Sequence, residues 1–232
     1  MSFLTYNTLM IKAIIFDFDY TLSNRGYAIY DGFAYIVNKY FNDYDEMEKE
    51  AVIQRMVYLD EEGTISRRHI IDYLVNNYHL DNDSLSNDFA TLSEIMAPKT
   101  VLDEYAIEVL EYLRHNTDYK LAILTNGDIK TQRMKLEVSG VLPYVDEAIV
   151  AIESGYKKPA REAFEYAAKK LNLKCEECLY VGDVMFNDIL GAYKAHMQYL
   201  LLNNHRKRIY NPKIPTINHL NELIDYINHD QD

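Results

Sequence analysis

Short apolar segments alternate with amphipathic segments along the second half of the chain. Four apolar segments have the length of a buried strand, at residues 121–124, 148–152, 178–181 and 199–202. Four other segments repeat apolar side chains on one face of a helix, at residues 103–115, 160–171, 187–195 and 219–227. Because strands that alternate with helices pair through crossover connections, this pattern predicts a doubly wound, Rossmann-like parallel sheet of the α/β class.

The first half of the chain shows a different pattern after one apolar run at residues 13–16. Residues 26–98 have helical periodicity and no clear strand, which predicts an inserted α-helical domain. We therefore expect a helical domain at 26–98 within an α/β core made of residues 1–25 and 99–232. Residues 1–10 are expected to form a loose leader, and Met10 is a candidate alternative start.

Polar residues follow the predicted strands, at the points where those strands end. They are Asp17 and Asp19 after the first strand, Thr125, Asn126 and Gly127 after the second, Lys158 in the loop after the third, and Asp183 and Asp188 after the fourth. Ligands of an open parallel sheet bind beyond the carboxyl ends of its strands, so we expect these residues to converge. Clustered carboxylates repel one another unless a cation lies among them, and Mg²⁺ prefers oxygen ligands. Together with the Lys158 ammonium, this edge is predicted to hold Mg²⁺ and a phosphate group.

Each of these short motifs alone is common in ordinary turns, because Asp, Asn and Gly favour turns. Their order and spacing at four strand ends of one chain support a shared site. The two carboxylates one residue apart, Asp17 and Asp19, can then divide the chemistry. One attacks phosphorus, and the other transfers a proton.

Composition narrows the classes of function. The net charge of −12, without a run rich in Lys and Arg, argues against a nucleic acid polymer as the main partner. The sequence shows no signal-peptide pattern and no apolar run long enough to cross a membrane, so a cytoplasmic protein without a membrane partner is expected. Cys175 and Cys178 lack further ligands at the spacing of a zinc site, which favours two small packing residues, with a redox pair as the alternative.

The ordered motifs resemble those of the haloacid dehalogenase superfamily of phosphotransferases over nearly the whole chain. The stretch DFDYTL from Asp17 is similar to the first motif, and TNG from Thr125 to the second. Lys158 of KKP is similar to the third, and GDVMFNDILGA, with Asp183 and Asp188, to the fourth. The helical segment resembles the cap domain of the helical-cap phosphatase subgroup. The resemblance implies a Rossmann-like core with an inserted helical cap.

The resemblance also implies roles for individual residues. Asp17 is implied to be the nucleophile that forms an aspartyl-phosphate, and Asp19 the acid that protonates the leaving oxygen and then activates water. Phosphate oxygens are implied to be bound by Thr125, Asn126, Gly127 and Lys158. The implied ligands of Mg²⁺ are Asp17, the backbone carbonyl of Asp19, Asp183 and Asp188, the last through water or as a neighbour of the ligands.

Two positions depart from the family pattern. Tyr20 stands where the family often has Gly, Asn or Asp, and Val184 stands where a small hydroxyl residue is common. Neither position carries the chemistry, so these departures bear on substrate detail and leave the implied mechanism in place.

These observations predict a magnesium-dependent phosphatase that hydrolyses a small soluble phosphomonoester of the nucleotide or sugar phosphate type. Four arginines are candidate substrate contacts from the cap, against the alternative that they are solvated surface charges: Arg25, Arg55, Arg67 and Arg68. The substrate itself and the oligomeric state are not predicted.

This prediction has four alternatives. A catalytically dead binding protein is disfavoured, because the catalytic positions that the resemblance implies are all intact. A phosphomutase on the same scaffold is the main alternative, because it would share the first motif and differ in protecting its aspartyl-phosphate from water. A dehalogenase is disfavoured, since members with that activity lack an acid at the position of Asp19. A phospho-accepting receiver domain is disfavoured by the length of this chain and by its helical insert.

Overall fold

The computed structural model describes residues 11–63, 66–204 and 208–229. Its strands are β1 (Ala13–Phe16), β2 (Ser23–Asn24), β3 (Val101–Leu102), β4 (Lys120–Thr125), β5 (Glu147–Val150), β6 (Cys178–Gly182), β7 (Gln198–Leu202) and β8 (Thr216–Ile217). Its α-helices are α1 (Gly26–Tyr40), α2 (Glu46–Asp60), α3 (Arg68–Tyr78), α4 (Asn82–Met96), α5 (Ala106–Asn116), α6 (Ile129–Val138), α7 (Arg161–Lys170), α8 (Leu190–Lys194) and α9 (Glu222–His229). The leader expected at residues 1–10 lies outside the described residues.

Six strands form one sheet in the order β5-β4-β1-β6-β7-β8, with β1 near its centre. Each neighbouring pair is parallel, which confirms the predicted α/β class. Phe16, the last residue of β1, lies opposite Ile123 of β4 and Val181 of β6. The carboxyl ends of these three strands therefore lie side by side, and the residues that follow them meet at one edge of the sheet.

Both faces of the sheet are buried, as expected for parallel strands covered by helices. Ile14 and Phe16 belong to a core cluster that includes residues of α5 and α9. Ala13 and Ile15 belong to the cluster on the other face, which includes Phe164 of α7. Since all four residues of β1 are fully buried, this strand is a rigid support for whatever follows it.

The chain divides into two compact units, one made of Met1–Asn24 with Leu102–Asp232 and one made of Arg25–Val101. The second unit contains α1 to α4 and packs its own apolar core, with buried residues that include Phe33, Met56, Leu74 and Leu92. Its helix α2 begins with a capping box, in which the Asp45 side chain accepts from the Glu48 backbone N–H at 2.8 Å. That this helical unit acts as a cap domain stays a prediction.

Two predicted elements differ from the structure. The apolar run 148–152 was expected to be a strand throughout, but the strand ends at Val150 and a 3₁₀ turn follows at Ala151–Ser154. The helix expected at 187–195 starts with a π-helical turn, Met185–Ile189, and continues as α8. Within the described ranges, no helix has the length and apolar character that crossing a bilayer requires.

Candidate active site

Asp17 follows β1 directly and is buried at the carboxyl edge of the sheet. Its backbone N–H donates to the carbonyl of Val181 at 2.8 Å, so the ladder between β1 and β6 extends to this residue. Three residues later, Tyr20 has a φ of 61°, in the left-handed region. That conformation costs a non-glycine residue on the order of 1 kcal/mol and is adopted most easily by Gly, Asn and Asp, the residues that the family often has at this position. Nothing in the structure explains the Tyr.

Lys158 provides a buried positive charge next to Asp17. Its Nζ lies 2.7 Å from Asp17 Oδ1, 2.7 Å from Asp188 Oδ1 and 2.8 Å from the Tyr180 hydroxyl. Its side chain is only 2% exposed. The Tyr180 hydroxyl also lies 3.1 Å from both the Leu124 carbonyl and Asp188 Oδ1, so Tyr180 links β6 and β4 to the lysine. Tyr180 has the sequence pattern of an ordinary core residue, so its contact with Lys158 was not predicted.

The charges of this cluster shift the pKa values of its members. Burial raises the pKa of Asp17 from 3.8 to about 7; Lys158 opposes this rise and the charge of Asp188 adds to it. Burial alone would lower the pKa of Lys158, but the carboxylates of Asp17 and Asp188 outweigh burial and raise it. An additional cation at this edge would lower the pKa of Asp17 and keep it ionised at neutral pH.

Three buried carboxylates form a possible metal centre. Oxygens of Asp17, Asp183 and Asp188 all lie within 4.8 Å of one another. A set of hard anionic oxygens fits a divalent cation such as Mg²⁺. Asp188 Oδ2 accepts from the Val184 backbone N–H at 2.8 Å, while its Oδ1 accepts from Lys158 Nζ at 2.7 Å, so both oxygens of Asp188 have protein partners. Because Val184 contributes its backbone, its departure from the family pattern does not disturb this contact.

Gly182 allows Asp188 to reach the cluster. A Cβ atom at this glycine would lie 2.7 Å from the Asp188 Cβ and Cγ, closer than atoms pack in proteins. The π-helical turn carries Asp188 back over the end of β6, and the glycine leaves room for its side chain. The approach of the Asp188 side chain to Asp17 and Asp183 therefore depends on this glycine.

The segment Thr125 to Gly127 ends β4 at the same edge. Thr125 is buried, and Gly127 has a φ of 146°, which only glycine adopts easily. The Asn126 side chain makes two hydrogen bonds to the backbone of Lys158: its Nδ2 donates to the carbonyl at 3.0 Å, and its Oδ1 accepts from the N–H at 2.9 Å. Asn126 thus fixes the loop that carries the lysine, a function of its side chain that the sequence did not indicate.

The Asp19 side chain lies outside the group of three carboxylates found among the described residues. Its two oxygens face Lys135 Nζ at 2.8 Å and 2.7 Å, and Gln132 Nε2 donates to Oδ2 at 3.3 Å. Lys135 and Gln132, both buried on α6, were not predicted to belong to the site. The only feature of the sequence that could have indicated them is their spacing. Gln132 and Lys135 lie three residues apart, on the helix face that also carries the buried Leu136.

The four arginines predicted as cap contacts all lie in the helical unit and have partners within it. Arg25 and Arg67 face the buried carboxylate of Asp60, at 3.9 Å and 3.3 Å respectively. Arg68 pairs with Asp72 at 2.7 Å. The fourth arginine, Arg55, lies over the rings of Tyr58 and Tyr73, each at 5.2 Å. Their role toward a substrate stays a prediction.

Comparisons with known proteins agree with this geometry. A model of the haloacid dehalogenase-like hydrolases matches residues 11–196. The chain is 27% identical over 227 residues to the glyceraldehyde 3-phosphate phosphatase of Methanocaldococcus jannaschii, covering 94% of this chain and 97% of that protein. It is 33% identical over 121 residues to the pyrimidine 5'-nucleotidase YjjG of Escherichia coli, covering 51% of this chain and 53% of that protein.

A solved structure is also similar along nearly its whole length. The phosphatase of the same superfamily from Thermococcus onnurineus matches with a TM-score of 0.68 and 27% identity, over 94% of this chain and 98% of that chain. Since the family model spans most of the sequence, and the parallel sheet gathers the motif residues at one edge, the chain belongs to the haloacid dehalogenase-like hydrolases.

Proposed function

We propose that this protein is a magnesium-dependent phosphatase that hydrolyses a small phosphorylated metabolite through an aspartyl-phosphate on Asp17. The observation that carries the proposal is the position of Asp17. It follows the central strand β1 directly, lies 2.7 Å from the buried Lys158 ammonium, and shares a cluster with Asp183 and Asp188. A carboxylate next to fixed positive charge at the binding edge of an α/β sheet is suited to attack a phosphoryl group.

The reaction would proceed in two steps. In the first, a carboxylate oxygen of Asp17 bonds to phosphorus, the bond from phosphorus to the ester oxygen breaks, and Asp19 gives a proton to the leaving alcohol. In the second, water bonds to phosphorus while Asp19 takes its proton, and the bond between Asp17 and phosphorus breaks. Inorganic phosphate leaves, and both carboxyl groups return to their starting states.

Other residues of the edge would bind the phosphoryl group and balance its charge. The Lys158 ammonium offsets the charge that develops on the phosphoryl oxygens, and the segment Thr125 to Gly127 offers a hydroxyl and backbone N–H groups to them. Asp17, Asp183, the Asp19 backbone carbonyl and Asp188 would hold Mg²⁺, with Asp188 acting through water. When bound, the ion adds positive charge next to the nucleophile and the phosphate.

The relatives favour a small metabolite as substrate. One is a glyceraldehyde 3-phosphate phosphatase and the other a pyrimidine 5'-nucleotidase, so sugar phosphates and nucleotides are the first compounds to test. We propose that the helical unit, residues 26–98 by our prediction, closes over this substrate as a cap. Arg25, Arg55, Arg67 and Arg68 are its candidate contacts. A cytoplasmic location stays a prediction.

The test is hydrolysis of p-nitrophenyl phosphate with and without Mg²⁺ by the wild type and by Asp17→Asn. We expect the wild type to release p-nitrophenolate only when Mg²⁺ is present. We expect Asp17→Asn to release none. Release that survives the substitution would refute the assignment of the nucleophile. An Asp118→Asn variant, altered at an exposed aspartate of the same unit, is the matched control and is expected to behave like the wild type.

A screen of triose phosphates, hexose phosphates and nucleoside monophosphates would then identify the substrate class. Product analysis in the same screen tests the phosphomutase alternative. A phosphatase releases inorganic phosphate in proportion to the substrate consumed, whereas a mutase returns an isomeric sugar phosphate with little free phosphate.

A further inference from the structure

A buried lysine holds the carboxylate of Asp19. Lys135 Nζ lies 2.8 Å and 2.7 Å from the two oxygens of Asp19, and the lysine side chain is 9% exposed. The aspartate is more accessible, at 21%. A lysine that contacts both oxygens of one carboxylate restricts rotation of that carboxylate, so Asp19 presents its accessible surface in one orientation.

Gln132 adds a second contact and joins Asp19 to the phosphate-binding segment. Its Nε2 donates to Asp19 Oδ2 at 3.3 Å, and its Oε1 lies 3.4 Å from the Thr125 hydroxyl. A Cβ atom at Gly127 would lie 2.7 Å from the Gln132 side chain, so the glycine leaves the space that this side chain occupies. Asp19, Gln132 and Thr125 therefore form one connected group.

Helix α6 is a firm support for both side chains. It begins directly after Gly127, and its N-cap, Asp128, accepts from the Thr131 backbone N–H at 2.8 Å. Gln132 and Lys135 lie three residues apart, so they project from the same face of this helix. The cap fixes the helix at the end of β4, and the helix in turn fixes the two side chains relative to Thr125.

Stability alone is a poor reason for this partly buried ion pair, in which the lysine is 9% and the aspartate 21% exposed. Withdrawing the charges from water costs much of what their attraction returns, so such a pair adds little net stability. The ion pair does fix the orientation of the Asp19 carboxylate, two residues after Asp17. We propose that Lys135, assisted by Gln132, is a positioning residue for Asp19, which it holds where a proton can pass to the leaving oxygen and from the attacking water. This inference rests on the proposed phosphatase function.

The main test compares Lys135→Met with Lys130→Met in the holoenzyme with Mg²⁺. Lys130 is an exposed lysine on the same helix, so the control removes the same charge from the same element. The two substrates are p-nitrophenyl phosphate and phenyl phosphate, which have similar shapes. The phenolate leaving group needs a proton, whereas p-nitrophenolate leaves with little help.

For phenyl phosphate, kcat of the Lys135→Met variant is expected to fall about 10- to 100-fold, with KM within about twofold of the wild type. For p-nitrophenyl phosphate, the first step stays fast, but the second step still needs Asp19 as the base. A burst of p-nitrophenolate followed by slow turnover is therefore expected, with phosphorylated protein trapped by acid quenching. Partial unfolding would reduce the number of active sites and would not create a burst.

Two further variants distinguish a loss of positioning from misfolding of Lys135→Met. Lys135→Arg keeps a cation at the carboxylate and is expected to recover part of the phenyl phosphate activity. Gln132→Met is expected to show a weaker form of the same leaving-group dependence. Circular dichroism and thermal unfolding of each variant establish that the fold is kept.

A double-variant comparison shows whether Lys135 acts through Asp19. In an Asp19→Asn background, Lys135→Met is expected to cause less than about a twofold further loss, because the group that it positions is already gone. A first step slowed equally on both substrates, with no burst of p-nitrophenolate, would overturn the proposal. A full additional loss in the Asp19→Asn background, or behaviour like Lys130→Met, would also overturn it. A wild type without Mg²⁺-dependent hydrolysis would instead refute the phosphatase function, and this inference with it.

Discussion

The raised pKa of Asp17 predicts that this carboxylate, our proposed nucleophile, destabilises the metal-free protein at neutral pH. In the folded state the carboxyl has a pKa of about 7, against 3.8 in a solvated chain. A pKa that folding raises contributes its full stability below pH 3.8, and this contribution is lost as the pH rises to about 7. The shift spans about three pKa units at about 1.4 kcal/mol each, so the loss is about 4 kcal/mol above pH 7.

The perturbation is Asp17→Asn, which keeps the size of the side chain and removes its charge. Without metal, the free energy of unfolding of the D17N variant should match that of the wild type near pH 4. It should exceed the wild-type value by up to about 4 kcal/mol at pH 8, because the variant has no carboxyl to ionise. Added Mg²⁺ should stabilise the wild type more than the variant and so narrow the difference.

The assay is urea unfolding in buffers with chelator, followed by far-ultraviolet circular dichroism from pH 4 to pH 8. Hydrogen exchange of the β1 amides assigns the change to the α/β unit. The Asp118→Asn variant, altered at an exposed position, should show the pH profile of the wild type. Parallel profiles for D17N and the wild type would refute the reasoning, since they would mean that burial does not hold the proton on Asp17.

Three further substitutions test two contacts of the site and the packing of α8 against α7. Tyr180→Phe removes a buried hydroxyl that contacts Lys158, and should cost about 1–3 kcal/mol in urea unfolding. Asp183→Asn should weaken Mg²⁺ binding about tenfold or more, seen by calorimetry and as a smaller rise in melting temperature with Mg²⁺. Gly191→Ala would place a Cβ against the edge of the Phe164 ring, closer than atoms pack in proteins, and should lower the free energy of unfolding by about 1–3 kcal/mol.

Each of these three substitutions has a control variant or a result that would contradict its prediction. Tyr193→Phe removes the hydroxyl of a tyrosine that is 55% exposed, and should change stability by less than about 0.5 kcal/mol. An unchanged Mg²⁺ affinity in Asp183→Asn would mean that the cluster of carboxylates is not the metal site. Full stability of Gly191→Ala would show that α7 and α8 can separate at little cost.

The sheet and the residues at its edge could be predicted because local signals agree with the global fold. The apolar run of β1 ends at Phe16 and a carboxylate follows, so the strand end is visible in the sequence. The length of an apolar run is a poorer guide to where a strand ends. Ala151 is as buried as the strand before it although it belongs to a 3₁₀ turn, and an apolar residue gives the same signal in either conformation.

The support of Asp19 could not be predicted for a different reason. Lys135 and Gln132 are polar residues on an amphipathic helix, and a polar residue there is usually solvated. Their burial depends on where α6 lies against the end of β1, 113 to 116 residues earlier in the chain. A pairing at that sequence separation has no local signal, so one sequence read alone assigns both side chains to the surface.

The close approach of Asp188 to Gly182 has a consequence for engineering this scaffold. Because a Cβ at position 182 would lie 2.7 Å from the Asp188 side chain, even alanine there displaces the aspartate that contacts Lys158. A library meant to change substrate preference should therefore keep this glycine constant. The inserted helical segment, which packs its own core, is the part of the chain in which diversity can be introduced without moving that aspartate.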